Sequence, residues 1–173
     1  MSAKGDSLCQ LSSGVSGLDS LLNGGFVDER LYLVLGAPGT GKTTLGMEFL
    51  RAGLDEGETV LLIHGEESKQ DHLANAAQFD IDLAEAEFFD IGPRSEFFTQ
   101  SRSYDVVDPA DLEDDSLIDD IHGTIDDLDP DRVLIDPITQ FQYLEPTDYQ
   151  FRKRIISFAR FLKDRGTTVL MTK

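Results

Sequence analysis

Hydrophobic residues along this chain fall into two patterns: short unbroken apolar runs, and stretches in which apolar residues recur every three or four positions. The runs are Leu31-Tyr32-Leu33-Val34-Leu35, Thr59-Val60-Leu61-Leu62-Ile63, Arg132-Val133-Leu134-Ile135-Asp136 and Thr167–Met171. Each has the length and composition of a strand buried on both faces. Between them, Leu45, Phe49 and Leu54, then Leu73, Ala76, Ala77 and Phe79, then Leu117, Ile118, Ile121, Ile125 and Leu128, and finally Phe151, Ile155, Phe158 and Leu162 recur at helical spacing. Ser68-Lys69-Gln70-Asp71 has the form of a capping box opening the second of these helices. Gly14 to Phe26 holds a short helical stretch that ends at Asn23-Gly24-Gly25. Residues 1–13 are small and polar and read as a flexible N-terminal tail, so the folded domain is expected over 14–173. Residues 92–112 read as a long loop carrying Phe97, Phe98 and Tyr104. Strands alternating with helices predict an α/β fold, a mainly parallel β-sheet sandwiched by helices.

Composition narrows the class. The chain has 173 residues, with 40% hydrophobic residues, which is enough for one core and too apolar for a disordered chain. No apolar stretch approaches the roughly 20 residues needed to cross a bilayer. The first ten residues lack the cationic and apolar regions of a secretory signal, so a cytoplasmic location is expected, with no membrane partner. The single cysteine, Cys9, has no internal disulfide partner, and His64, His72 and His122 are too far apart in sequence to suggest a zinc site. The net charge of −18 opposes long-range attraction to nucleic acid and to anionic lipid. Such an acid excess also fits a protein working in concentrated salt, where screening removes self-repulsion.

The chemistry is carried by Gly36-Ala37-Pro38-Gly39-Thr40-Gly41-Lys42-Thr43, which follows one expected strand directly and opens one expected helix. This is the G-x-x-x-x-G-K-[ST] pattern in its required context. The glycines Gly36, Gly39 and Gly41 let backbone N–H groups turn toward phosphates, with Pro38 and Thr40 shaping the turn, and the helix adds its positive end. Lys42 is placed to reach the terminal phosphates, Thr43 to give its hydroxyl to Mg²⁺, and Thr44 to add a backbone contact. Asp136 ends an apolar strand, the position from which a carboxylate faces the Mg²⁺ of a nucleotide-binding sheet. Glu66 and Glu67, just past another strand, would share that edge, where one of them could activate a water in line with the terminal phosphate.

These blocks together resemble a KaiC-type ATPase domain of the RecA superfamily. The resemblance rests on Gly14–Phe26, Gly36–Thr43, Glu66-Glu67 and Val133–Thr139, and it spans essentially the whole chain. The segments Ser95–Asp105 and Asp136–Gln140 look closest to KaiC-like signal-transduction ATPases of halophilic archaea. The resemblance implies a RecA-like P-loop NTPase fold, ATP and Mg²⁺ as ligands, Glu66 as the base with Glu67 assisting, and hexameric rings in which a neighbour supplies a Lys or Arg finger. In that family the sheet continues past the strand that here ends at Met171, so the resemblance also implies a fold truncated at its C-terminus.

The charges are segregated along the chain. Twelve acids and no lysine or arginine stand between Asp105 and Asp131, whereas Arg152, Lys153, Arg154, Arg160, Lys163 and Arg165 crowd around one expected helix. That helix could meet an acidic surface, either of the same chain or of a neighbouring subunit, and a regulatory protein is a further possible partner. Three functional readings follow: a ring-forming signalling ATPase, a nucleotide-binding regulatory module with little turnover, and a RecA/RadA-like DNA repair ATPase. The negative charge disfavours the last.

Overall fold

The structure is a computed structural model that describes residues 9–92, 109–144 and 147–173. Phe97, Phe98 and Tyr104 lie outside the described residues. In chain order the elements are β1 (Gln10–Leu11), α1 (Ser16–Leu21), β2 (Phe26–Val27), β3 (Leu31–Val34), α2 (Lys42–Glu56), β4 (Val60–His64), α3 (Lys69–Ala77), β5 (Glu87–Asp90), α4 (Pro109–Leu128), β6 (Arg132–Asp136), α5 (Asp148–Lys163) and β7 (Thr168–Thr172). A 3₁₀ segment, Ile138–Leu144, joins β6 to the residues before α5.

Five strands form one sheet in the order β3-β7-β6-β4-β5, and every pairing in it is parallel. The three inner strands β4, β6 and β7 are buried at every position, the outcome expected of continuous apolar runs covered on both sides. Alternate residues serve opposite faces. Leu61, Ile63, Val133, Ile135, Val169 and Met171 pack against Ile121 and Ile125 of α4 and Phe158 and Leu162 of α5. Val60, Leu62, Leu134 and Leu170 pack instead against Met47, Phe49 and Leu50 of α2 and Ala76 of α3. The fold is therefore three layers, helices on both sides of a parallel sheet.

Helix α2 approaches the sheet closely because Gly46 has no side chain. A Cβ at Gly46 would stand 2.6 Å from both methyl carbons of Leu134, which is buried in β6. Gly46→Ala is expected to destabilise the fold by about 1–3 kcal/mol through overpacking, despite alanine's better helix propensity. Urea unfolding of the two proteins checks this.

Several elements differ from the sequence expectation. Residues 10–13, expected in the tail, belong to the fold, because Gln10–Leu11 pair antiparallel with Phe26–Val27 and Ser13 is fully buried. Polar residues settle there because Asp19 organises them: Ser13 Oγ and N (2.8 Å) and Ser12 Oγ (2.7 Å) all donate to its carboxylate. Burial alone would raise the pKa of Asp19, but these serine hydroxyls and the Ser13 N–H outweigh it and hold the carboxyl below its ordinary range. β5 is a fifth strand beyond the four expected, and α4 begins at Pro109, inside the expected loop. Phe79 lies beyond the end of α3, and Arg165 beyond the end of α5.

Candidate nucleotide-binding site

The carboxyl ends of the strands bring the candidate residues to one edge of the sheet. Val34 of β3 pairs with Thr172 of β7, Ile135 of β6 with Met171, and His64 of β4 with Asp136 of β6. The loop Gly36–Gly41 leaves this edge from β3, the segment containing Glu66 and Glu67 leaves it from β4, and Asp136 stands between them on β6. At ~4.8 Å per strand, β3 and β6 are about 10 Å apart. This is the crevice at the strand ends where open α/β sheets bind ligands.

The loop has the form of a cradle lined by backbone. Gly39 (φ 78°) and Gly41 (φ 85°) adopt the left-handed conformation that other residues resist, and a Cβ at either would meet nothing within 4 Å. Their freedom serves the turn, and their missing side chains leave the N–H groups accessible. Gly41 caps the N-terminus of α2 without any side-chain hydrogen bond, so the helix presents unpaired N–H groups there. The loop's mouth is held by Thr40 Oγ1, which donates to the Ala37 carbonyl (2.8 Å), and by Lys42 Nζ, which donates to the Gly36 (2.8 Å) and Ala37 (3.0 Å) carbonyls. The ammonium thus lies across the loop with a flexible stem. Gly36 N also donates to the Lys173 carbonyl (3.2 Å), tying the loop to the end of β7.

Asp136 is buried, and Thr172 Oγ1 donates to its Oδ1. That hydroxyl orients the carboxylate along the strand end, a supporting contact that sequence reading missed although Thr172 ends an apolar run on the neighbouring strand. Among the described residues no group of three or more His, Cys, Asp or Glu side chains could hold a metal ion by itself. A single carboxylate at the strand end, with a threonine opening the helix after the loop, is instead a donor set of the kind that Mg²⁺ accepts when phosphates and water complete its coordination. The residues present therefore fit a Mg²⁺–nucleotide complex.

The two glutamates, adjacent in sequence, are treated differently by the fold. Glu66 is exposed at the sheet edge, and its Oε1 accepts from Gln140 Nε2 (3.1 Å). The Gln140 stem lies against Gly65, where a Cβ would stand 3.0 Å from its Cγ. Glu67 is turned back onto α3, its Oε2 accepting from Asn75 Nδ2 (2.9 Å), while its carbonyl accepts from Nδ1 of the buried His64 (2.8 Å). The structure thus brings Glu66 to the edge with Asp136 and directs the side chain of Glu67 elsewhere.

His72 lies beneath this turn. Its ring is buried 5.0 Å from that of His64, neither of its nitrogens has a hydrogen-bond partner, and Nδ1 is 3.9 Å from Glu67 Oε2. Burial first, and His64 second, push its pKa below the usual histidine range, against the opposing pull of Glu67, Asp136 and Asp71. His72 therefore stays neutral in the folded protein while the unfolded chain takes up a proton. Stability is fully present above the ordinary histidine value of ~6.5 and falls as the pH drops below it. His72→Phe is expected to flatten this acid-side loss, measured by denaturant midpoints from pH 8 to pH 5. His122, whose pKa burial also lowers, supplies the residual slope.

Beside the loop lies an open cleft of about 850 Å³, lined by Val15, Leu18, Thr43, Thr44, Glu48 and Phe79. Phe79 is 59% exposed there. Its apolar character had suggested a core position on α3, but the helix stops at Ala77 and leaves the ring on the cleft wall.

A comparison with known protein families matches residues 11–173 to the family described as "ATPase: KaiC". The chain belongs to the KaiC ATPase family. Among individual relatives, the UPF0273 protein of Methanopyrus kandleri is 30% identical over 169 residues, covering 94% of this chain and 66% of the relative. The circadian clock oscillator protein KaiC of Thermosynechococcus vestitus is 34% identical over 163 residues, covering 94% of this chain and 29% of that protein. A UPF0273 protein of Aeropyrum pernix is 30% identical, with the same 94% and 66% coverage. The chain thus spans less than two thirds of the length of these relatives. The KaiC-family assignment agrees with the parallel α/β sheet, the glycine-rich loop and the acidic strand end. No helix among the described residues is long and apolar enough to cross a membrane.

Proposed function

We propose that this KaiC-family domain binds ATP with Mg²⁺ at Gly36–Thr44 and hydrolyses it, as a regulatory or signal-transducing ATPase of the cytoplasm that works in ring-type oligomers. The observation that carries this reading is the alignment at one sheet edge of the open loop, Asp136 and Glu66. In this reading the N–H groups of Gly39, Gly41, Lys42, Thr43 and Thr44 hold the phosphates. Lys42 swings from the Gly36 and Ala37 carbonyls to the terminal phosphate, exchanging two neutral acceptors for a charged one. Thr43 and Asp136 would hold Mg²⁺, which would neutralise phosphate charge. Glu66, oriented by Gln140, takes a proton from a water that attacks the terminal phosphorus, while the bond to the bridging oxygen breaks and ADP leaves. Glu67 supports the turn through its contacts to Asn75 and His64.

The cleft beside the loop is suited to the base, with the Phe79 ring as a stacking platform. Stacking on an aromatic ring is worth about 1–3 kcal/mol per base. Phe79→Ala is therefore expected to weaken ATP binding about tenfold and to leave inorganic tripolyphosphate binding unchanged. Equilibrium titration of both ligands, with Mg²⁺ and with EDTA, tests the reading. Failure of the wild-type chain to bind either ligand would remove it.

A further inference from the structure

The outward face of α5 carries concentrated positive charge in a chain of net charge −18. Tyr149, Arg152, Lys153, Ile156, Arg160 and Lys163 recur every three or four residues, so they share one side of the helix, opposite Phe151, Ile155, Phe158 and Leu162, which face the sheet. Among the described residues no ion pair engages Arg152, Lys153, Arg160 or Lys163, although acids outnumber bases 33 to 15 in the chain. Tyr149 is 77% exposed and Ile156 54% exposed. They lie about 10 Å apart along the helix axis, Ile156 among the cations and Tyr149 at the N-terminal end of the stripe.

Helix α4 lies beside α5 on the same layer. The rings of His122 and Phe161 stack at 4.0 Å, and Arg165 pairs with Asp126. The outward residues of α4 include Asp119, Asp120 and Asp127, all exposed, and Gly123, where a Cβ would meet nothing within 4 Å. The molecule therefore presents an acidic ridge and a basic ridge next to each other. Both helices connect parallel strands, so they run in the same direction.

We propose that this two-helix face docks a second copy of the same chain. A two-fold axis running between and along the helices sets the α5 stripe of each copy against the α4 acids of the other. The surface is then self-complementary, as an isologous contact requires. Ile156 supplies an apolar contact at its centre and Tyr149 one at its end, and the missing side chain of Gly123 leaves room for an apolar knob. Charge complementarity selects this occupant over nucleic acid, which the net charge of −18 opposes at long range. At 0.15 M salt the Debye length is about 8 Å, so repulsion between the distant acids of two copies is screened while opposed contacts persist. Two helices present a contact at the small end of specific interfaces, so the association is weak and salt-dependent. The inference stands apart from the nucleotide reading.

Sedimentation velocity at 0.15 M and 1 M NaCl tests it with three proteins, each checked by circular dichroism for native helix content. Wild type is expected to self-associate at least tenfold more weakly at 1 M. Lys153→Glu/Arg160→Glu and Asp119→Lys/Asp127→Lys are each expected to lose this salt-sensitive association when alone. An equimolar mixture of the two variants is expected to associate, because each reversal then faces its complement at both contacts, an outcome that overall charge repulsion would not produce. A wild type that is monomeric at both salts, variants that associate like wild type, or a mixture that stays apart would overturn the proposal. Retention of a monomeric wild type on a 20-nucleotide DNA, lost in Lys153→Glu/Arg160→Glu, would overturn it in favour of a nucleic-acid surface.

Discussion

Glu66→Gln is expected to retain ATP binding within about twofold and to lower turnover by 10²–10⁴-fold, the range that loss of a positioned general base removes. The substitution keeps a carbonyl oxygen where Oε1 now accepts from Gln140 Nε2, so the turn between β4 and α3 keeps its geometry and only basicity is lost. Glu67→Gln provides the contrast. Its carboxylate is committed to Asn75 and lies near His72, so its replacement disturbs the turn without removing a base from the sheet edge, and a loss of less than tenfold is expected. Steady-state phosphate release and nucleotide titration on the same samples separate the two effects.

The second large effect concerns stability. Arg132 begins β6 and is fully buried, the largest buried side chain among the described residues. Its guanidinium donates to both carboxylate oxygens of Glu58, to the Ser12 carbonyl (2.7 Å) and to the Phe49 carbonyl (3.1 Å), and lies 5.0 Å from the centre of the Phe49 ring. One cation thus joins the N-terminal segment, α2 and the central sheet. Glu58→Ala removes its principal counter-charge, leaving Glu56 at 3.5 Å, which is half exposed. Breaking a buried pair in this way costs about 3–5 kcal/mol. The expected loss is about 3 kcal/mol, since Glu56 supplies part of the missing charge. Arg132→Met is expected to lose less, because the apolar side chain fills the site while Glu58, nearer the surface, recovers water. Denaturant unfolding of both variants checks the order, and equal losses would show that the ion pair is not the source of the effect.

The inner sheet and the phosphate loop were legible in the sequence because their physics is local. A strand buried on both faces must be continuously apolar, and a loop that exposes its N–H groups to phosphate must be rich in glycine. β5 was hidden because Glu87-Phe88-Phe89-Asp90 is a short edge strand with only two apolar residues, whose pairing with β4 is a tertiary fact. Phe79 was misplaced for the opposite reason: its spacing continues that of Leu73 and Ala76, but the helix stops before it. Arg132 read as the polar start of a strand, since its partners Glu58, Ser12 and Phe49 are at least 74 residues away in sequence. The contacts that orient Glu66 and Asp136, from Gln140 and Thr172, likewise depend on register across the sheet. Sequence therefore shows which residues can do chemistry, and the register of β4, β6 and β7 shows which of them meet.

The most direct measurement is inorganic phosphate release from ATP by the wild-type chain at saturating nucleotide, with Mg²⁺ and after its removal by EDTA, at low and molar salt. The loop, Asp136 and Glu66 at one sheet edge predict steady release that requires Mg²⁺ and stops with EDTA. Bound ATP recovered intact after hours with Mg²⁺ present would contradict hydrolysis at this site.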